Sequence, residues 1–265
     1  MTKAYFVWNI DPELFSVGPF SIRFYGLFFA IAFMLGYSLM SKMFTREGKR
    51  VQDLDALFFA MFLSTLIGAR LGHCLFYESK YYLAHPLEIL MVWHGGLASH
   101  GAAVGIMLGL WLYSRKHLDQ PYLWLVSRMS ITVALAGFFI RMGNFFNSEI
   151  LGHPTAVPWA VVFSRVDAFP RHPAQLYESL SYLLIFFILN QSYKRRQGAI
   201  SPYTLTGLFF TLIFSVRFVL EYFKEAQATF EYNLPLHMGQ LLSIPLIFFG
   251  LYCLWRGQQG VKQDY

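Results

Sequence analysis

Arg141 and Arg217 each stand inside an apolar stretch with a chemically useful neighbour at helical spacing. Asn144 follows Arg141 by three residues and Glu221 follows Arg217 by four, so each pair shares a helix face. Gly143 leaves room beside the first pair, and the run continues through Asn147, Ser148 and Glu149 to Gly152. A planar guanidinium offers a fork of donors that matches phosphate oxygens. Together with Arg23 and Arg70 these arginines outnumber the carboxylates able to neutralise them, and the chemistry they suit is the binding of an anion. Taken one at a time, they have plainer explanations: an intrahelical ion pair for Arg217 and Glu221, and a polar helix end for Arg141 and Asn144.

Two further runs carry reactive types. In His94-Gly95-Gly96-Leu97-Ala98-Ser99-His100-Gly101 the glycines permit close backbone approach, and His100 is the deeper of two imidazoles. Imidazole suits general-base work near neutral pH, although a hydrogen-bonded packing role accounts for His100 as well. In Arg171-His172-Pro173-Ala174-Gln175-Leu176-Tyr177-Glu178, proline suits a first helical turn and Glu178 could pair with one of the arginines. Cys74 and Cys253 fall at opposite ends of their stretches and read as small packing residues that cannot pair.

The elements that must hold these residues follow from composition. With 265 residues, 56% of them hydrophobic, 19% aromatic and only 14% charged, lipid must cover most of the chain. A helix needs roughly 20 residues to cross a hydrocarbon core of about 30 Å. Apolar stretches of that order predict spans at residues 20–43, 54–76, 97–114, 123–146, 173–193, 203–223 and 237–255. The expected fold class is therefore all-α: a polytopic membrane protein of about seven transmembrane helices in a single domain over residues 1–265. No repeat or interdomain linker interrupts it. Basic residues follow the first, third, fifth and seventh spans at Lys42 and Arg46, Arg115 and Lys116, Lys194 to Arg196, and Arg256 and Lys262. The bias predicts an outside N-terminus and a cytoplasmic C-terminus, and it accounts for the net charge of +6 without nucleic acid as a partner. The first apolar run is long enough to span, which argues against a cleaved signal peptide.

In that orientation Arg23, Tyr25, Arg70, His73, His100, Arg141, Asn144, Gln175, Tyr177, Glu178, Arg217, Glu221 and Gln240 all fall near outer span ends. A charged group at membrane depth is costly unless it faces protein or water, so the asymmetry predicts a polar cavity toward the outer leaflet. The commonest anion there is a phospholipid headgroup. Arg128 alone falls near an inner end, where snorkelling would account for it. Residues 147–172 are expected to form a small extracytoplasmic cap. Residues 83–93, apolar but too short to span, read as an interfacial or re-entrant piece.

These motifs resemble those of the bacterial prolipoprotein diacylglyceryl transferases. The resemblance runs through nearly the whole chain and includes Phe24-Tyr25-Gly26, Gly68-Ala69-Arg70-Leu71-Gly72, residues 141–152, 171–178 and 217–223, and Gly239-Gln240-Leu241-Leu242-Ser243-Ile244-Pro245. Ala98, Ser99 and Ile140 depart from the residues usual in that family. The resemblance implies transfer of the diacylglyceryl group of phosphatidylglycerol to the lipobox cysteine of a prolipoprotein signal peptide, with release of glycerol phosphate. It also implies a multi-pass protein of the bacterial inner membrane that works toward the outer leaflet without cofactor or metal. A free thiol titrates at about 8.5 and an imidazole at about 6.5, so a histidine can raise the thiolate fraction. On this basis His100, Arg141 and Arg217 are the catalytic candidates. Tyr25, Arg70, Asn144, Asn147, Glu149, Gly152, Tyr177, Glu178 and Glu221 are the expected substrate-binding set. Two other readings begin from the same residues: a carrier or scramblase for an anionic lipid, and a serine hydrolase built on Ser99 and His100. Sparse polar residues in the inner halves of the spans argue against the first. The angle of about 100° between adjacent helical residues argues against the second.

Overall fold

The computed structural model describes residues 5–17, 20–92, 96–225 and 236–263. Its helices, in chain order, are α1 (Phe24–Arg46), α2 (Asp53–Phe76), the short α3 (Ser79–Ala84), α4 (Ser99–Lys116), α5 (Tyr122–Phe146), α6 (Ala174–Arg195), α7 (Pro202–Leu220) and α8 (Met238–Gln263). Each long helix coincides with one expected span. Five are long and apolar enough to cross a membrane: α1, α2, α5, α7 with its extension to Phe223, and α8. The chain is therefore a multi-pass membrane protein. Helix α6 is less apolar because it carries Gln175, Glu178, Ser179, Asn190 and Gln191, the first three of them fully buried against protein. Helix α4 is the shortest of the long helices, 18 residues beginning Ser-His-Gly.

The expectation of an all-α fold needs correction in the N-terminal segment and in the connection between α5 and α6, where short strands appear. β1 (Phe6–Trp8) runs parallel to β4 (Val161–Phe163), which pairs antiparallel with β5 (Pro170–Arg171). β2 (Glu13–Val17) and β3 (Phe20–Arg23) form an antiparallel hairpin. Such runs are too short for a helix, and pairing satisfies their backbone groups instead. Because β3 occupies residues 20–23, the first long helix starts only at Phe24, and Arg23 is an exposed strand residue rather than a helical one. Residues 83–93 likewise form the end of α3 and a 3-10 turn, Pro86–Leu90, with Trp93 outside the described residues.

Packing divides the chain into two units, Met1–Leu39 with Met129–Tyr265, and Met40–Arg128. In the second unit, Ser64, Gly68 and Gly72 of α2 face Gly101, Gly105 and Gly109 of α4. A Cβ on Gly72 would stand 2.7 Å from the Gly101 Cα, and one on Gly105 would stand 3.0 Å from the Gly68 Cα. Lipid supplies no hydrophobic drive between helices, so close approach of small residues provides the attraction. A backbone hydrogen bond of 2.9 Å from Ala98 to the Ala69 carbonyl fixes where α4 begins. At the far end of this unit Arg128 is 2% exposed. It donates to both Glu47 oxygens at 3.0 and 2.9 Å, and Trp124 donates to the same carboxylate at 2.6 Å. The snorkelling expectation for Arg128 is thus overturned: the side chain turns inward to a paired carboxylate.

In the first unit the close contacts are between α7 and α8. Gly207 packs against Gly250 and Leu254, Thr211 against Gly250, and Thr204 against Gly257. The cap is seated on the end of α5 by an aromatic cluster. Trp8 lies 4.4 Å from the ring of Phe145 and 5.1 Å from that of Phe146, and Phe145 packs on Val161 and Phe163.

Candidate functional site

Within the first unit, three helices deliver one polar network. Arg141 occupies the last turns of α5, which is the most enclosed of the five apolar spans, so its side chain meets protein rather than lipid. Its Nε forms an ion pair of 2.8 Å with Glu178 of α6, a residue with no exposed surface. Its Nη1 donates to the Asn144 side-chain oxygen at 3.0 Å, and a further bond reaches the Tyr182 hydroxyl. Tyr182 stands one turn beyond Glu178 and packs where Gly137, one turn before Arg141, has no side chain. The amide of Asn144 donates to Glu149 at 3.2 Å, and that of Asn147 to the other Glu149 oxygen at 3.1 Å. Glu149, exposed at the rim, is held by its backbone, since Gln175 donates to its carbonyl at 2.6 Å. Tyr25, at the start of α1, lies over Gly143 within the electrostatic reach of both Arg141 and Glu149.

The turn after α5 is conformationally costly. Ser148 and Ile150 adopt φ values of 54° and 55°. Left-handed backbone is uncommon outside glycine and rare for a β-branched residue, so surrounding contacts must enforce it. The Asn147, Ser148 and Glu149 amides all bond back to carbonyls of the last turn of α5. That wrap brings the Glu149 carboxylate within reach of Asn144.

Arg217, half-buried on α7, acts electrostatically on Glu178 and Tyr182. The expected intrahelical pair with Glu221 does not form. Glu221 instead binds Lys224 at 3.0 Å, and the same ammonium reaches Glu178 at 3.1 Å. Lys224 and Tyr182 are the residues the sequence reading missed. A tyrosine in an apolar helix looks like packing, and a lysine just past a span looks like an interfacial charge. The only sequence signal for either was helical spacing, from Glu178 to Tyr182 and from Glu221 to Lys224.

Other expected residues have different surroundings. Tyr177 faces the cap, where its hydroxyl accepts from Trp159 at 2.7 Å and lies 3.1 Å from His172 Nδ1. Burial, and then the charge of His153, push the His172 imidazole below its ordinary pKa. Gly152 sits where three chain segments cross, its absent Cβ pointing at His172 and the Phe223 carbonyl, while Arg171 donates to its own carbonyl at 3.1 Å. Close backbone packing is what the missing side chain permits there. Arg171 also grips Asp167 and Glu225 at 2.6 and 2.9 Å, and its hydrogen bonds hold the Asp167 carboxyl below the usual carboxylate range.

Arg70 and His100 belong to the second unit. Arg70 is 3% exposed; it donates to the carbonyls of Ile89 and Glu88 at 2.9 and 2.6 Å and covers the ring of Tyr82. A guanidinium so engaged ties the segment that holds Glu88 and Ile89 to α2. His100 is exposed, one residue into α4. His94 and Gly95 lie outside the described residues.

The family description "prolipoprotein diacylglyceryl transferase" matches residues 12–256. A phosphatidylglycerol–prolipoprotein diacylglyceryl transferase of Chloroherpeton thalassium is 48% identical over 262 residues, covering 99% of this chain and 97% of the relative. Proteins of the same name from Tolumonas auensis and Vibrio cholerae are 47% and 36% identical, covering 92% and 97% of this chain and 94% and 95% of the relatives.

Proposed function

Because the chain belongs to the prolipoprotein diacylglyceryl transferase family, we propose that it transfers the diacylglyceryl group of phosphatidylglycerol to a prolipoprotein cysteine, with the Arg141 network as the phosphate site. The observation that carries this placement is charge. Among the described residues, three cations of the network, Arg141, Arg217 and Lys224, meet two buried carboxylates, Glu178 and Glu221. The cation left without an ion pair is Arg217. Glu149, the third carboxylate of the network, is exposed, so the enclosed groups alone carry one excess positive charge, which suits a phosphodiester with its one negative charge.

The lipobox thiol gives its proton to a general base, the role for which His100 is the sequence candidate, and the sulfur attacks the diacylglyceryl methylene carbon. A carbon–sulfur bond forms as the bond from that carbon to the phosphate ester oxygen breaks. The electron pair leaves with glycerol phosphate, which takes up a proton. Charge grows on the departing phosphate, where Arg217 and Arg141 meet it with donors already in place. Asn144 and Tyr25 orient the headgroup, with Asn147 and Glu149 at the rim; Glu178 and Glu221 position the cations. All seven long helices cross the bacterial inner membrane, with the N-terminus outside and the active site toward the outer leaflet. The positive bias of the alternate loops supports that orientation.

Purified protein incubated with phosphatidylglycerol and a lipobox peptide tests the reaction. Mass spectrometry is expected to find one diacylglyceryl group on the cysteine. A peptide of unchanged mass overturns the reading.

A further inference from the structure

We infer that Lys224 is a positioning residue that keeps Arg217 available to phosphate by occupying Glu221. The inference rests on the reading of Arg217 as a phosphate ligand. Glu221 has two cationic neighbours at helical spacing, Arg217 four residues before it and Lys224 three after. The first arrangement alone is enough to form an ion pair on an ordinary helix. Here α7 stops at Leu220, and Glu221–Phe223 tighten into a 3-10 turn closed by a 3.1 Å bond from the Lys224 amide to the Glu221 carbonyl.

That turn folds Lys224 back under Glu221. The ammonium, only 2% exposed, ends 3.0 Å from one Glu221 oxygen and 3.1 Å from Glu178. The backbone on either side is pinned by the cap: Lys224 bridges to Gly152, and the Glu225 amide donates to the Leu151 carbonyl at 3.1 Å. Glu221 is held in turn by α8, where any Cβ on Gly239 would collide with its carboxylate. A buried carboxylate needs a counterion. With Lys224 removed, the cation four residues away on the same strand of helix is Arg217, and pairing there would withdraw it from phosphate.

Full-length enzyme in detergent, assayed with phosphatidylglycerol and lipobox peptide, separates the possibilities through KM, kcat and thermal unfolding. Lys224→Met is expected to raise KM for phosphatidylglycerol about tenfold or more, a loss of ground-state binding, with a smaller change in kcat. Lys224→Arg should restore KM, and so should adding Glu221→Gln to Lys224→Met, because the competing carboxylate is then gone. A folded Lys224→Met enzyme with normal KM overturns the inference. So does a folded double variant no better than the single one. If the Met variant does not accumulate, Lys224→Gln, which keeps hydrogen-bond donors, serves the same comparison. Arg217→Ala distinguishes the layers: full activity there removes the phosphate reading itself, whereas an inactive Arg217→Ala beside a normal Lys224→Met removes only the role of Lys224.

Discussion

At the scale of single residues, two arginines differ because their donors go to different places. Arg141 shares its guanidinium among Glu178, Asn144 and Tyr182, all side chains of one network. Arg141→Ala is expected to lower kcat/KM by about 10²–10³-fold, the usual effect of removing a donor from a developing oxyanion. Arg141→Lys keeps the charge but not the fork, so it should recover little. Activity within a few-fold of the parent in either variant would remove Arg141 from catalysis. Arg70 spends its donors on backbone carbonyls, and Arg70→Ala should cost about 3 kcal/mol of stability. The loss should appear in the unfolding temperature and in faster hydrogen exchange of residues 86–92, with kcat per folded molecule maintained. Arg141, Asn144 and Glu178 were legible in the sequence because a charge in an apolar stretch demands a partner. Arg70 looked the same as they did, since a sequence shows the charge but not whether main-chain or side-chain oxygens satisfy it.

At the scale of elements, hydropathy located every long helix to within four residues except at the end of α8, which runs eight residues past the expected 255, because the length of apolar chain needed to cross lipid is itself a constraint. The strands of the cap were not legible. Runs of two to five residues carry little periodicity, and β1 pairs with β4, which lies far along the chain beyond five helices. Gly101, Gly105 and Gly109 repeat every four residues, yet their meaning depends on the matching Ser64, Gly68 and Gly72. Gly105→Leu should force α2 and α4 apart, since even its Cβ would stand 3.0 Å from the Gly68 Cα. A destabilisation of about 1–3 kcal/mol or more is expected in detergent unfolding, and parental stability would show that the helices can separate without cost. The cap makes a second prediction. His172 has a lowered pKa through burial and the His153 charge, so the opened cap binds more protons than the closed one. Its contribution is complete above about pH 6.5 and is lost as pH falls from there through the folded-state value. Fluorescence of Trp159 or hydrogen exchange should report a cap that loosens in this window, and His172→Gln should flatten the change. Asp167, whose pKa is also lowered, acts only at more acid pH, below about 4, so the two losses are separable. An unchanged profile in His172→Gln would assign the loosening to another group.

At the scale of the whole molecule, the question is which side of the membrane the chemistry faces. Basic residues gather after α1, α4, α6 and in the last turns of α8, and this bias supports the proposed cytoplasmic placement of those ends. The cap lies at the opposite end of α5 from its basic start, and the aromatic contacts of Trp8 with Phe145 and Phe146 fasten it one turn beyond Arg141. The cap and the Arg141 network must therefore share a side. Both native cysteines are free and buried, so they can be replaced by alanine to give a background for labelling. On that background Ser164→Cys, on the exposed cap, should react with a membrane-impermeant maleimide in intact spheroplasts. Arg196→Cys, exposed after α6, should react only once the membrane is permeabilised. The reverse pattern would turn the protein over and put the phosphate site at the cytoplasmic leaflet. Labelling of both in intact spheroplasts would mean that α6 does not cross. That outcome is the sharpest test of the seven-span topology, because α6 carries Glu178 at its enclosed end and is less apolar than the five helices that qualify by composition alone.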